Sequence, residues 1–200
     1  MNLYENFIVN LNESSEIEKK IQEYKDYIEE HRANVKKAWN YIKELNNPYI
    51  QNNIDIISEN IENHDLDKYQ DDLFEPYRKK YFPINDEESN EMIDTIQDVF
   101  KIHYSRNPHH WEYWLDEDGD LDELKHNDEE IDNDIMIAYI EMLCDWCSFG
   151  LKQDNPKEVR DWYISHKPTM ILFPKEQEII EDLLKEYCDL FNDEGEENNE

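Results

Sequence analysis

Apolar residues recur at helical intervals along most of the chain, and this pattern predicts an all-α fold. One long stripe from Ile17 through Val35 to Ile42 follows the i, i+3, i+4, i+7 spacing of a buried helix face. Only three glycines and seven prolines occur in 200 residues, and these are the residue types that most often break helices. The predicted helices cover about 14–45, 52–63, 87–105, 108–115, 132–149, 155–166 and 174–191.

Local residues mark the predicted boundaries of these helices. Ser14 or Ser15 is suited to cap the first helix. Gly150 is suited to end the most apolar one as a C-terminal cap. The segment 65–83 is expected to be irregular because it carries two prolines, and 116–130 is expected to be an acidic loop.

The pattern predicts a single folded domain with polar ends. We expect a polar lead-in at 1–13, one helical domain over 14–191 and a disordered acidic tail over 192–200. A chain of this length can bury a core of its own. Its 5 Trp, 13 Tyr and 7 Phe exclude a wholly disordered acidic chain, since disordered chains are poor in aromatic residues.

The charge balance narrows the classes of partner. The chain has 20 Lys+Arg against 51 Asp+Glu, a formal charge of −31. Direct nucleic-acid binding is therefore not expected, because such binders neutralise phosphates with a basic patch. An anionic membrane surface would repel the chain, and no apolar run approaches the roughly 20 residues of a membrane span.

The N-terminus and the cysteines favour a cytoplasmic setting. The first five residues lack the basic and apolar regions of a secretory signal. The three cysteines, Cys144, Cys147 and Cys188, are an odd number, which favours reduced thiols.

Histidines and one buried-looking acid stand out as candidate metal ligands. His31, His64 and His103 each lie in or beside a predicted helix, and Asp145 interrupts the most apolar helix. Imidazole and carboxylate are common ligands of Mn, Fe, Zn, Co and Ni. A buried carboxylate also needs a partner, because an unpaired one is costly to desolvate. His126 and His166 are interpreted as ordinary polar residues.

The order of these groups resembles the HD superfamily of metal-dependent phosphohydrolases. The order is one His, an adjacent His-Asp pair, further His residues and a final Asp on a late helix. The resemblance implies an HD-domain-like helical bundle that binds one or two divalent cations. The residues expected to hold a first metal are His31, His64, Asp65 and Asp145. His103, with His109 or His110, is expected to hold a second metal or to bind substrate.

Three further residues are candidates for catalysis. Lys68 and Arg106 could neutralise a phosphate, and the guanidinium fork of Arg106 suits phosphate better. Glu141 lies at i, i+4 from Asp145 and faces the same side of its helix. Two interpretations of Glu141 stay open. It is either a functional residue, as the partner of a histidine N–H or as a general base, or an ordinary acid on the helix surface.

Longer motifs resemble a family of small phage- and prophage-associated proteins of unknown function. The segment 64–69 resembles H-D-x-S-K-F, and 103–114 resembles H-x-x-R-N-P-H-H-W-x-Y-W. Segments near 72–82, 139–146, 161–163 and 170–174 add to the match, which covers about 31–186. Asp67 stands where the family has Ser, and Phe173 where it has His. The resemblance implies a host-cytoplasmic protein but no particular substrate.

Three functions remain open from the sequence. The first is an HD-like metal-dependent phosphohydrolase acting on a nucleotide or another small phosphate ester. The second is an HD-like di-iron oxygenase with the same ligands. The third is a non-enzymatic acidic protein that mimics nucleic acid and binds a host protein.

Overall fold

The structure, a computed structural model, describes residues 3–122, 124–125 and 130–192. This part of the chain contains eight α-helices and no β-strand, which confirms the all-α class. The helices are α1 (Leu3–Ile42), α2 (Pro48–Asn63), α3 (Asp71–Tyr81), α4 (Asp86–Glu91), α5 (Ile96–Arg106), α6 (Asn133–Lys152), α7 (Glu158–His166) and α8 (Pro174–Asp189). Short 3-10 helices cover Leu66–Tyr69, Trp111–Trp114 and Lys167–Thr169.

The chain divides into two compact units. The first contains Met1–Glu30 and Asp65–His103, and the second contains His31–His64 and Tyr104–Glu200. The expectation of one domain over 14–191 stays a prediction. The predicted tail lies outside the described residues apart from Asn192.

In the second unit, α6 is the central helix. It packs against α2, α7 and α8, and most of its residues are buried. Its first turn is held by side chains: Asp132 accepts from the backbone N–H groups of Asp134 and Ile135, at 2.8 and 3.2 Å. Buried Glu176 of α8 accepts from the N–H of Asp132 at 2.8 Å. These bonds satisfy the N–H groups that a helix start leaves without backbone acceptors.

The first unit contains a smaller core and a buried ion pair. Arg78 of α3 is fully buried and donates to both carboxylate oxygens of Glu88 at 2.9 and 2.7 Å. It also donates to Glu75 at 3.1 Å. The apolar core of this unit consists of Tyr24, Ile28, Leu73, Tyr77, Ile96 and Val99.

Three expectations about the first unit were wrong. α1 begins at Leu3, so Ser14 and Ser15 lie inside this helix and not at its start. Residues 71–81 form α3 although Pro76 removes one backbone hydrogen bond from it, because Leu73, Tyr77 and Arg78 bury one face of the helix. The predicted helix 87–105 is two helices, α4 and α5. Between them the Thr95 hydroxyl donates to the Glu91 carbonyl at 3.3 Å and thereby competes with regular helix geometry.

Two boundaries in the second unit also differ from expectation. α2 begins at Pro48 because Asn47 caps it by accepting from the N–H of Tyr49 at 2.9 Å. Gly150 lies inside α6 and does not cap it. A Cβ at this position would lie 2.6 Å from the Asn155 carbonyl oxygen, so glycine permits a close approach of the chain that follows.

None of the described helices has the length and apolar character needed to cross a bilayer.

The buried pair in the first unit predicts a large loss of stability in Arg78→Met. The variant leaves Glu88, whose side chain is 15% exposed, without its guanidinium partner. Loss of one member of a buried pair costs about 3–5 kcal/mol. The matched control is Lys79→Met, since Lys79 and Glu91 form an exposed pair worth about 1 kcal/mol or less. Chemical denaturation measures both variants.

The same pair gives a pH dependence whose sign is fixed. The hydrogen bond from Arg78 lowers the pKa of the Glu88 carboxyl below its usual 4.5, against the opposing effect of burial. The stabilisation is therefore complete above pH about 4.5 and is lost as the pH falls below that value. Arg78→Met should remove this part of the acid dependence. Equal destabilisation by Arg78→Met and Lys79→Met would contradict the assignment of Arg78 and Glu88 as a buried, stabilising pair.

Candidate metal centre

Two carboxylates project from α6 in the middle of its apolar sequence. Glu141 and Asp145 lie one helical turn apart, with side chains 7% and 16% exposed. Their neighbours along the helix, Met142, Leu143 and Cys144, are fully buried. Desolvation of two carboxylates at this spacing is unfavourable unless other groups compensate their charge.

Histidines provide the partners of Glu141. Its Oε1 atom lies 2.8 Å from Nδ1 of His64 and 3.0 Å from Nδ1 of His109. Burial raises the pKa of the Glu141 carboxyl, but the hydrogen bonds from His109 and His64 outweigh this effect and lower the pKa to about 2. Glu141 is thus a carboxylate at neutral pH and accepts from both rings.

This arrangement fixes the tautomer of both histidines. A neutral imidazole carries one proton, and a ring that donates through Nδ1 has its lone pair on Nε2. Carboxylates that hold metal-binding histidines act in the same way, since they orient the ring and increase its basicity as a ligand. Glu141 therefore prepares Nε2 of His64 and Nε2 of His109 to bind a cation.

The end of α2 positions His64. Ile57 and Ile61 are buried on one face of α2. His64 comes next on the same face, and the helix ends at this residue. Arg32 of α1 secures this end by donating to the carbonyl oxygens of Glu62 and His64 at 2.7 and 3.0 Å. The His64 side chain is consequently completely buried.

A tight turn after α5 positions His109. The Trp114 indole donates to the Pro108 carbonyl at 2.8 Å, and the N–H of His110 donates to the Asn107 carbonyl at 3.0 Å. The His109 ring packs on the His64 ring with centroids 4.3 Å apart. The R-N-P-H-H-W motif thus builds the turn that aims His109 inward.

Asp145 faces the same histidines from the next turn of α6. Its Oδ1 atom lies 3.8 Å from Nε2 of His64 and 3.1 Å from Nε2 of His31. The other nitrogen of His31, Nδ1, lies 3.3 Å from the Ser148 hydroxyl. Asp145 therefore joins α1, α2 and α6 through one carboxylate.

His64, His109 and Asp145 form a group that could hold a metal ion. Each offers one ligand atom, and the three atoms lie within 4.8 Å of one another. Three ligands about 2.1 Å from one cation in tetrahedral geometry lie about 3.4 Å apart. The 3.8 Å between Nε2 of His64 and Oδ1 of Asp145 is near this separation, and loading of the site requires the ligand atoms to draw closer together.

The group borders a cleft of 320 Å³ in the second unit. His109 and Asp145 lie on its wall, so a bound cation would be reachable from the cleft. The other lining residues are mostly aromatic or sulfur-containing. They are His110, Trp111, Glu112, Met142, Trp146, Phe149, Trp162, His166, Thr169 and Met170.

The first unit contains a second buried group of ionisable side chains. His103 lies between two carboxylates, with Nδ1 2.9 Å from Asp67 and Nε2 3.3 Å from Asp65. Lys68 donates to the other oxygen of Asp65 at 2.6 Å, and its ammonium lies 5.7 Å from the centre of the Tyr77 ring. Asp65 has a left-handed backbone (φ 59°), a strained conformation for a residue with a side chain.

The sequence-predicted residues lie in both units of the chain. His31, His64, His109, Glu141 and Asp145 meet in the second unit, and His110 lines the cleft beside them. Asp65, Lys68 and His103 belong to the first unit and contact one another there. Arg106 is exposed at the end of α5 and does not line the cleft.

Sequence reasoning missed several residues of these sites. Ser148 lies one turn from Asp145 on α6 and could have been found from that spacing. Asp67 was noted only as a departure from a motif, although it holds His103. Trp162 and His166, at i, i+4 on α7, stack with centroids 4.6 Å apart on the cleft wall. The i, i+4 spacing was a usable signal for that pair.

Comparison of the chain with models of protein families identifies one matching family. The model of the family of unknown function DUF5662 matches residues 20–186. The chain belongs to this family. The matched range includes every ligand and lining residue described above. A comparison with curated proteins and with solved structures finds no match.

The tautomer assignment predicts how Glu141 variants behave. In Glu141→Ala both Nδ1–H groups lose their acceptor, so the rings can turn or change tautomer, and metal affinity should fall about 10–100-fold. Glu141→Gln keeps an acceptor oxygen without the charge, so its metal affinity should fall less than that of Glu141→Ala. Nitrogen-15 NMR of the imidazoles reports the tautomers, and a metal titration reports the affinity.

Asp134→Asn is the matched control, because Asp134 is an exposed acid on the same helix. This substitution should change neither the tautomers nor the metal affinity. A native protein with protons on Nε2 of His64 and His109 would contradict the assignment.

Proposed function

We propose that this chain is a metal-dependent hydrolase with its centre in the second unit. The observation that carries the proposal is the set His64, His109 and Asp145, in which Glu141 accepts from Nδ1 of both histidines and leaves Nε2 of each ring for a cation. A structural salt bridge would not need two imidazoles held in the same tautomer by one oxygen. A divalent cation such as Mn, Fe, Zn, Co or Ni fits this mixture of nitrogen and oxygen ligands.

When bound, the cation supplies a Lewis acid and a water of lowered pKa. The side chains of the protein orient the ligands and transfer protons. Glu141 keeps the ligand rings in place, and His31, 3.1 Å from Asp145, orients that carboxylate. His110 lines the cleft beside His109, with ring centroids 4.4 Å apart, and is the group placed to give a proton to a leaving alcohol.

The proposed substrate is a small phosphate ester, and the proposed scaffold is HD-like. The support is the order of ligands along the chain, His31 on α1, His64 at the end of α2 and Asp145 on α6, together with their contacts in space. This support is analogy with the arrangement of a known superfamily. The roles expected from sequence for Asp65, His103, Lys68 and Arg106 remain part of the same hypothesis.

The alternative of a nucleic-acid mimic has less support from the site. A mimic needs its carboxylates in rows on the surface, whereas Glu141 and Asp145 point into the protein against histidines. An oxygenase would use the same ligands with iron. Its distinguishing result is oxygen consumption by the iron-loaded protein.

Metal content and hydrolysis of model phosphate esters test the proposal. The purified protein should hold at least one equivalent of a transition metal and should hydrolyse a nitrophenyl phosphate monoester or diester. Asp145→Asn removes a ligand charge and should lower both metal affinity and rate by at least about 100-fold, beyond the effect of losing a supporting group.

Asp134→Asn again serves as the control, because it removes a charge from the exposed start of α6. Equal metal content and equal hydrolysis in Asp145→Asn and the native protein would rule out this centre.

A further inference from the structure

The cleft beside the metal centre has an aromatic wall. Trp146 and Trp162 lie with ring centroids 5.5 Å apart, and Trp162 stacks on His166. Trp111 and Phe149 line the same space. Phe149 is 45% exposed, so part of this wall is open to a ligand.

The charges of the cleft are those of a site for a cation. Glu112 and Asp145 line it, and the described lining residues include no lysine or arginine. A site for an anionic ligand normally contains such residues. The −31 charge of the chain also draws cations toward the protein and repels free anions.

Aromatic faces and a carboxylate together recognise organic ammonium groups. A quaternary or primary ammonium is attracted to the negative face of an indole, and Trp gives the strongest such interaction. Three tryptophans with Glu112 in one cleft of 320 Å³ match this chemistry in composition and size. A purely apolar ligand would not need Glu112 or Asp145.

We infer that the cleft binds the ammonium end of a zwitterionic substrate, a phosphate ester of an amino alcohol. The inference rests on the proposed hydrolase function and names its substrate class. The ammonium group contacts Trp162, Trp111 and Glu112, while the phosphoryl group lies at His109 and Asp145. The ammonium charge also offsets part of the repulsion that a purely anionic ester meets at this surface.

The reaction of such a substrate balances with water alone. The oxygen of water forms a bond to phosphorus, and the bond between phosphorus and the alcohol oxygen breaks. The alcohol oxygen takes the proton that the attacking water loses. The products are inorganic phosphate and the amino alcohol.

Choline binding to the full chain tests the ammonium assignment without any turnover. Choline and its neutral carbon isostere dimethylbutanol have nearly the same shape, so their difference isolates the charge. Tryptophan fluorescence should report choline binding at least about fivefold tighter than dimethylbutanol binding. Inorganic phosphate without added metal should not bind measurably.

Variants at Trp162 locate the effect. Trp162→Leu should abolish the preference for choline, and Trp162→Phe should keep most of it because a π face remains. Tyr41→Leu removes an aromatic ring that packs on Tyr187 and Phe191, outside the cleft, and should leave the preference intact. Circular dichroism checks that each variant is folded.

Metal content, measured on the same samples, separates the two proposals. Metal-loaded protein that binds choline and dimethylbutanol equally, or Trp162→Leu that binds choline like the native chain, would overturn the ammonium assignment alone. A preference for choline in a protein that takes up no metal would overturn the hydrolase and the phosphate-ester part of the inference.

Discussion

Two carboxylates on one buried helix set the main physical constraint on the second unit. Removal of Glu141 and Asp145 from water is costly, and histidine rings contact both carboxylates. The compensating groups are three imidazoles supplied by α1, the end of α2 and the turn after α5. The positions of these elements against α6 are therefore tied to charge as well as to apolar packing.

This constraint links the fold to the proposed chemistry. If the histidines served only to compensate the charge of the carboxylates, any arrangement that brings the two kinds of group close together would be sufficient. Here one oxygen of Glu141 accepts from Nδ1 of two rings, so Nε2 of both histidines is left to bind a cation. The acid that stabilises the buried cluster is the same acid that prepares it to bind a cation.

The sequence predicted the helical class and much of the cluster for physical reasons. The apolar stripes around Val35 and Ile140 define helices whatever surrounds them, and an acid inside such a stripe, as at Asp145, has to face a partner. Glu141 could not be assigned from sequence alone, because an i, i+4 acid can equally lie on the surface. Its burial depends on where α2 ends and on how the turn at Pro108 is closed.

Other features depended on tertiary context that local patterns do not contain. Pro76 indicates a break, yet α3 continues because Tyr77 and Arg78 are buried in the first unit. Gly150 indicates a helix end, yet it permits the approach of Asn155. The aromatic cleft combines Trp111, Trp146 and Trp162 from three separate segments, and no spacing rule connects segments so far apart.

X-ray absorption spectroscopy of the zinc-loaded protein tests the central claim most directly, because it reports the ligand atoms themselves. If His64, His109 and Asp145 hold the ion, the first shell contains nitrogen and oxygen at about 2.0–2.2 Å, with the outer-shell scattering of two or more imidazoles. A shell of oxygen alone would mean that the ion binds among surface carboxylates. Sulfur at about 2.3 Å would place it on the cysteines, and either result would contradict the account.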